Sequence, residues 1–245
     1  MFLFNSKKIK MKKIVLITCL TLLTSCAELQ QIAENLPQTE NVGLGSLDFS
    51  NGLKEALTNG VEKQVTKLAK ENGFYLNDKV KILFPTELQK VEDGLRKVGL
   101  SKLADEGTKM LNRATEDAIV AAIPIVTNAI TEMSIQDAKA IVLGNESAAT
   151  SYLSQKTTTA LTAKLQPIIK NSFTKVGADK IWSNLISKYN AIPFTQDVNS
   201  DLTDYNTQKT LEGVFSMISV EEKNIRTNIS SRTSSLLQKV FATQD

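Results

Sequence analysis

The sequence predicts an all-α fold: a single domain of about eight mostly antiparallel amphipathic helices, a bundle or helical array with at most one short hairpin. Three observations predict it. Apolar residues recur at three- and four-residue spacing through almost all of the chain beyond Leu47. Glycines, prolines and capping residues cut that pattern into helix-length pieces with short connections. A single stretch alternates apolar and polar residues in the manner of a strand.

Ahead of the domain lies a different kind of sequence. Met11-Lys12-Lys13 is basic, Ile14 to Leu23 is apolar, and Leu23-Thr24-Ser25-Cys26 sets small residues before a cysteine. That order is the pattern of a bacterial lipoprotein signal over residues 1–25, cleaved so that Cys26 becomes the N-terminus and carries the lipid, palmitate included. The apolar run of ten residues is too short to span a bilayer. Met1 to Lys10 is an over-long n-region, or the start codon is Met11. More than one acyl chain makes such an anchor stable. Residues 26–46 read as the lipidated cysteine and a flexible tether, broken at Pro37 and loosened at Gly43 and Gly45. Ala27 stands where an aspartate would retain the protein in the inner membrane, which favours the outer membrane with the domain in the periplasm.

The helical domain is placed at residues 47–245. Leu53, Leu57, Val61, Val65 and Leu68 share one helix face, with Asn72-Gly73 as the stop. Val80, Ile82 and Phe84 alternate and Pro85 ends the run, which predicts an extended arm or one short hairpin. Thr86 to Val98 is the next helix, burying Leu88, Val91, Leu95 and Val98 and stopping at Gly99. Ser101 is expected to cap a long helix with Leu103, Met110, Leu111, Ala114, Ala118 and Ile119 inward. Pro124 starts a new helix or kinks this one. Ser134-Ile135-Gln136-Asp137 resembles a capping box with Asp in place of Glu, and Gly144 closes the short helix it starts. Ser147 is expected to cap the following helix, which reaches Lys175 with a break at Pro167. Gly177 leads into a helix over Ala178 to Ala191, and Pro193 to Ser200 is a loop. Asp201 or Asp204 starts a helix carrying Leu211, Val214, Phe215 and Ile218. Thr233 to Phe241 is the last amphipathic segment.

Charge and composition exclude several chemistries. The chain holds 29 basic and 26 acidic residues, a net charge of +3. Removing the five lysines of residues 1–25 leaves 24 basic residues against the same 26 acidic ones, a net charge of −2. The basicity belongs to the export signal, so nucleic acid is not an expected partner. The chain has no histidine, which removes Ser-His-Asp and Cys-His catalysis and most zinc sites. Cys19 leaves with the signal and Cys26 is acylated, so the mature domain has neither thiol nor disulfide and rests on its core. No Gly-x-x-x-x-Gly-Lys-Ser/Thr or Gly-x-Gly-x-x-Gly segment occurs. No cofactor and no metal are expected.

The remaining candidates are charged and polar residues on helices. Glu116-Asp117 and Glu221-Glu222 are adjacent pairs, whose members diverge by about 100° on a helix and read as solvated faces. Glu222 precedes Arg226 by four residues, the favourable order for an ion pair, here expected at a surface or interface. A sharper reading makes Arg226 a guanidinium held to meet an anion. Arg113, beside Asn112 and among Ala, Leu and Met, is a buried structural residue or lines a cleft; Arg96 lies one helix earlier. Gly144-Asn145-Glu146-Ser147 is a turn whose amides could attract an anion. Trp182, Tyr189, Tyr152 and Tyr205 fit core packing. A candidate polar cluster is drawn from Arg96, Asn112, Arg113, Glu116, Asp137, Thr150, Tyr205, Glu222, Arg226 and Arg232.

Several stretches also carry a resemblance. They are Leu53-Lys54-Glu55-Ala56-Leu57, Gly94-Leu95-Arg96-Lys97-Val98-Gly99-Leu100, Asn112-Arg113-Ala114, Asp137-Ala138 and Ala148-Ala149-Thr150-Ser151-Tyr152. Gly213-Val214-Phe215, Glu221-Glu222-Lys223-Asn224-Ile225-Arg226, Arg232-Thr233 and Leu236-Leu237-Gln238-Lys239-Val240-Phe241 complete them. In that order, over about Leu47 to Phe241, the chain resembles a family of bacterial lipoproteins, the domain-of-unknown-function family 4197. Thr115 stands where the family pattern has Ala, and Asn206 where it has Val. The resemblance implies an exported, helical, single-domain lipoprotein with no assigned reaction.

The expected function is a non-enzymatic binding or interaction module of the envelope, tethered to the membrane and partnered by a protein or another envelope component. The alternative is a carrier of a lipid-like or anionic ligand in an interhelical cleft, with Arg96, Arg113 and Arg226 at the head group. The third reading is a carboxylate hydrolase built on Glu116, Asp137 or Glu222.

Overall fold

The structure is a computed structural model that describes residues 46–175, 177–191, 201–232 and 234–242. The signal, Cys26, the tether to Gly45 and the loop from Pro193 to Ser200 lie outside the described residues. Those that are described belong to one compact unit, Ser46–Asp245. It is all-α: α1 (Ser46–Leu68), α2 (Thr86–Lys97), α3 (Ser101–Ala118), α4 (Ile123–Thr131), α5 (Ile135–Val142), α6 (Ala148–Lys175), α7 (Ala178–Asn190), α8 (Thr203–Thr227) and α9 (Ser235–Phe241). Two 3-10 turns, Ile119–Ala122 and Ile229–Ser231, follow α3 and α8. No strand occurs among the described residues.

The longest helix, α6, is the spine. It packs along α8 on one side and α3 on another, with α4, α5 and α7 at its ends. The first helix, α1, lies against α4, α5, α8 and α9. The core between them is aliphatic: Leu53, Val61 and Val65 of α1, Leu111 and Ala114 of α3, Leu153, Leu161, Leu165 and Ile169 of α6, Val214 and Ile218 of α8. Those of α1, α3 and α8 are among the residues whose helical spacing marked these elements, so the same apolar stripe makes each of these helices and buries it.

Val80, Ile82 and Phe84 are buried and Leu83 is exposed, so the arm keeps a period of two without a partner strand. Phe84 meets Trp182 edge to face, with ring centroids 4.7 Å apart. Gly99 and Gly177 have φ of +83° and +75°, the left-handed turns that separate α2 from α3 and α6 from α7. The capping box at Ser134 is complete: the Asp137 N–H donates to Ser134 Oγ, and the Ser134 N–H donates to Asp137 Oδ2. A 3-10 turn precedes α4, whose first turn holds Pro124.

Five local expectations are corrected. Val98 is 71% exposed, because α2 ends at Lys97 and the chain turns away before the face returns inward. Ser101 is inside the first turn of α3, and Leu100 occupies the cap position without a side-chain bond. The Ser147 hydroxyl donates to Asn145 Oδ1 and leaves the start of α6 to another residue. Helix α6 runs unbroken through Pro167, which sits on its exposed face while Leu165 and Ile169 are held in the core. Helix α1 ends at Leu68, before the expected Asn72-Gly73 stop. Asn72 takes φ +67° in the turns beyond it, and a Cβ at Gly73 would lie 2.3 Å from the Leu68 carbonyl.

Candidate functional site: two buried glutamate–arginine staples

The adjacent carboxylates are not solvated faces. Glu116, Glu221 and Glu222 are buried; Asp117 alone of the four is exposed. A buried carboxylate is tolerated only where donors replace water, so its partners define its role.

Glu116 projects from α3 into the turns after α1. It accepts the backbone N–H groups of Asn72, Phe74 and Tyr75 at 3.1, 3.0 and 3.1 Å, and Arg113 Nη1 at 2.8 Å. Arg113 Nη2 donates to Asn72 Oδ1 at 3.0 Å and to Glu71 Oε1 at 2.6 Å. One acid–base pair on one helix therefore fixes the left-handed turn at Asn72. One turn back, Asn112 donates to the Ile82 carbonyl and accepts the Ile82 N–H, both at 2.8 Å, and ties the extended arm to the same helix.

Glu222 does the same work at the other end of the domain. It accepts the N–H groups of Ala149 and Thr150, each at 2.9 Å, and the Thr150 hydroxyl at 2.8 Å. These are the orphan amides of the first turn of α6, so Glu222 caps that helix from α8. Arg226 donates Nε and Nη2 to Glu222 Oε1 at 3.1 and 2.9 Å. The same guanidinium donates to the carbonyls of Ile141 and Val142 at 2.8 and 3.2 Å, the open C-terminal end of α5. The anion thus takes the positive end of one helix and the cation the negative end of the helix before it. Arg232 closes α8 by donating to the carbonyls of Ile225 and Arg226. The guanidinium carbons of both arginines lie 5.7 Å from the Phe241 ring centroid.

The other candidates lie apart. Asp137 belongs to its capping box, and the Ser134 hydroxyl holds its carboxyl below the usual aspartate range. Burial, then the nearby Asp137 charge, pushes the Tyr152 hydroxyl up. Arg96 is exposed and pairs with Glu92 and Asp105. Tyr205 donates its hydroxyl to the Leu83 carbonyl at 2.9 Å. The ten residues do not converge; they divide between two staples and scattered surface sites. Among the described residues no group of His, Cys, Asp or Glu could hold a metal ion.

Sequence reasoning missed three polar contacts. Glu221 joins α8 to α1 through Lys63 and Gln64, at 2.6 and 2.7 Å. Asp117 accepts the Ser172 hydroxyl, which with Lys175 lowers its carboxyl below the usual range. Thr115, Asn206 and Thr210 form a buried trio: Asn206 Nδ2 donates to Thr115 Oγ1 at 2.8 Å, and the two threonine hydroxyls are 3.0 Å apart.

An all-helical domain with its buried acids and bases spent on its own chain reversals is the class this structure defines. A family described as protein of unknown function (DUF4197) matches residues 43–242, and the chain belongs to it. No curated protein and no solved structure matches.

Proposed function

We propose that the chain is an exported bacterial lipoprotein, anchored through Cys26 to the outer membrane, whose helical domain is a non-enzymatic interaction module for an envelope protein. The observation that carries the non-enzymatic reading is the saturation of Glu116 and Glu222. A carboxylate offers about four acceptor positions. Glu116 accepts four hydrogen bonds and Glu222 five, all from the chain itself. Neither has an acceptor position left for a substrate proton. The export reading rests on the basic start, the apolar run and Leu23-Thr24-Ser25-Cys26.

The carrier reading has less to support it. It asks for a closed apolar pocket, and two clefts among the described residues are open, with Lys170 and Asp201 on one and Lys79 and Glu212 on the other. No helix among the described residues is long and apolar enough to cross a membrane by itself.

In-cell photo-crosslinking of the full chain tests the proposal, with Cys26→Ser as the unanchored control. A discrete, saturable adduct with one envelope protein, lost in the control, is expected. A chain that stays monomeric and uncrosslinked, or takes no lipid label at Cys26, contradicts it.

A further inference from the structure

We propose that residues 81–84 accept an extended, acidic segment of a partner protein as an added strand; this rests on the interaction-module reading. The arm is an extended segment whose one edge is paired by a side chain. Ile82 exchanges both of its backbone hydrogen bonds with the Asn112 amide, the pattern of a hydrogen-bonded strand pair. Successive residues of an extended chain address opposite edges, so Lys81 and Leu83 address the edge away from Asn112. There the Leu83 carbonyl accepts the Tyr205 hydroxyl, while the Leu83 N–H and the Lys81 carbonyl have no hydrogen-bond partner among the described residues. An added parallel strand meets both with one residue, which donates to Lys81 and accepts from Leu83, and leaves Tyr205 in place.

The space and the charge fit such a segment. The edge borders an open groove of about 720 Å³ between the arm and α8. Lys81 and Leu83 share the outward face of the arm, Leu83 is 57% exposed, and Lys79 stands exposed in the turn just before it. Lys81 lies over the Tyr75 ring, and neither Lys79 nor Lys81 has a carboxylate partner among the described residues. Lys209, on the opposite wall, is taken by Glu212. Two ammonium groups without a carboxylate partner, beside an exposed leucine, select carboxylates followed by an apolar side chain.

The probe is the peptide acetyl-TETETV-amide, with acetyl-TKTKTV-amide as its charge-reversed control, added to the isotope-labelled full chain. The acidic peptide should shift the Leu83 amide resonance and slow its hydrogen exchange at least about tenfold. Leu83→Pro, which removes the donor, should abolish both effects. Lys79→Glu with Lys81→Glu, two surface changes that leave the core intact, should transfer binding to the lysine peptide. An unmoved Leu83 amide at saturating peptide, or equal binding of the two peptides, overturns the proposal. An in-cell adduct without Leu83 protection would discard this edge and keep the interaction module; absence of any adduct would discard the module itself.

Discussion

Thr115 of α3 and Asn206 of α8 form a buried hydrogen-bonded pair. Both are buried, and Asn206 Oδ1 has no partner among the described residues. Removing one partner strands the other, whereas removing both restores an apolar contact. Thr115→Ala alone should cost about 1–3 kcal/mol of unfolding free energy, and Thr115→Ala with Asn206→Val should recover most of it. Urea unfolding of the four proteins of that cycle measures the coupling directly; additive losses would show that the two side chains act separately. Acid sensitivity also belongs to single residues. Asp117, Asp137 and Asp201 are held below their ordinary value of 3.8, chiefly by the hydroxyls of Ser172, Ser134 and Thr203. A folded pKa below the unfolded one stabilises above 3.8, and that contribution is lost as pH falls through the folded value. Unfolding free energy should therefore decline below about pH 4. Asp137→Asn should flatten that decline while lowering stability at neutral pH, and an unchanged acid limb in this variant would contradict the assignment.

Among the elements, α6 shows how packing overrides a local rule. Its 28 residues include Pro167, which lacks the N–H that would bond the Ala163 carbonyl. That carbonyl is on an exposed residue, where water can serve it, and the buried residues on either side hold the helix straight through. Pro167→Ala should add about 2 kcal/mol: roughly 3 from helix propensity, less about 1 for the freer unfolded chain. A loss of stability on thermal or urea unfolding would mean that the proline is required by the fold. The helices were legible because each writes its buried face as a three- and four-residue period, and Gly99, Gly177 and the Ser134–Asp137 box mark their own ends. The start of α6 was not legible, since its cap comes from Glu222, more than seventy residues away in sequence. Ser101 and Ser147 were read as caps because they precede helical patterns. The hydrogen-bond accounting that decides a cap is tertiary.

For the molecule as a whole, the staples turn residues that look catalytic into architecture. Glu116 with Arg113 fixes the turns that send the chain from α1 to the arm, and Glu222 with Arg226 joins the end of α5 to the start of α6. The sequence marked most of these residues but not the burial of the carboxylates, because adjacent acids on a helix read as exposed until a second element covers them. It also could not show that Arg96, Asp137 and Tyr205 lie apart, since that depends on how the helices are arranged. The interaction reading follows from this accounting: what remains available to a partner is surface, above all the open edge of the arm. The direct test is urea unfolding of Glu222→Gln and Glu116→Gln beside Glu55→Gln, an exposed glutamate without a partner among the described residues. The Glu222 and Arg226 side chains are 4% and 7% exposed, so neutralising the acid breaks a buried ion pair. Glu222→Gln should cost about 3–5 kcal/mol, Glu116→Gln about 3, and Glu55→Gln less than about 0.5. If the two buried variants unfolded at the same urea concentration as the parent, the staples would carry no structural load, and Glu116 and Glu222 would return as candidates for chemistry.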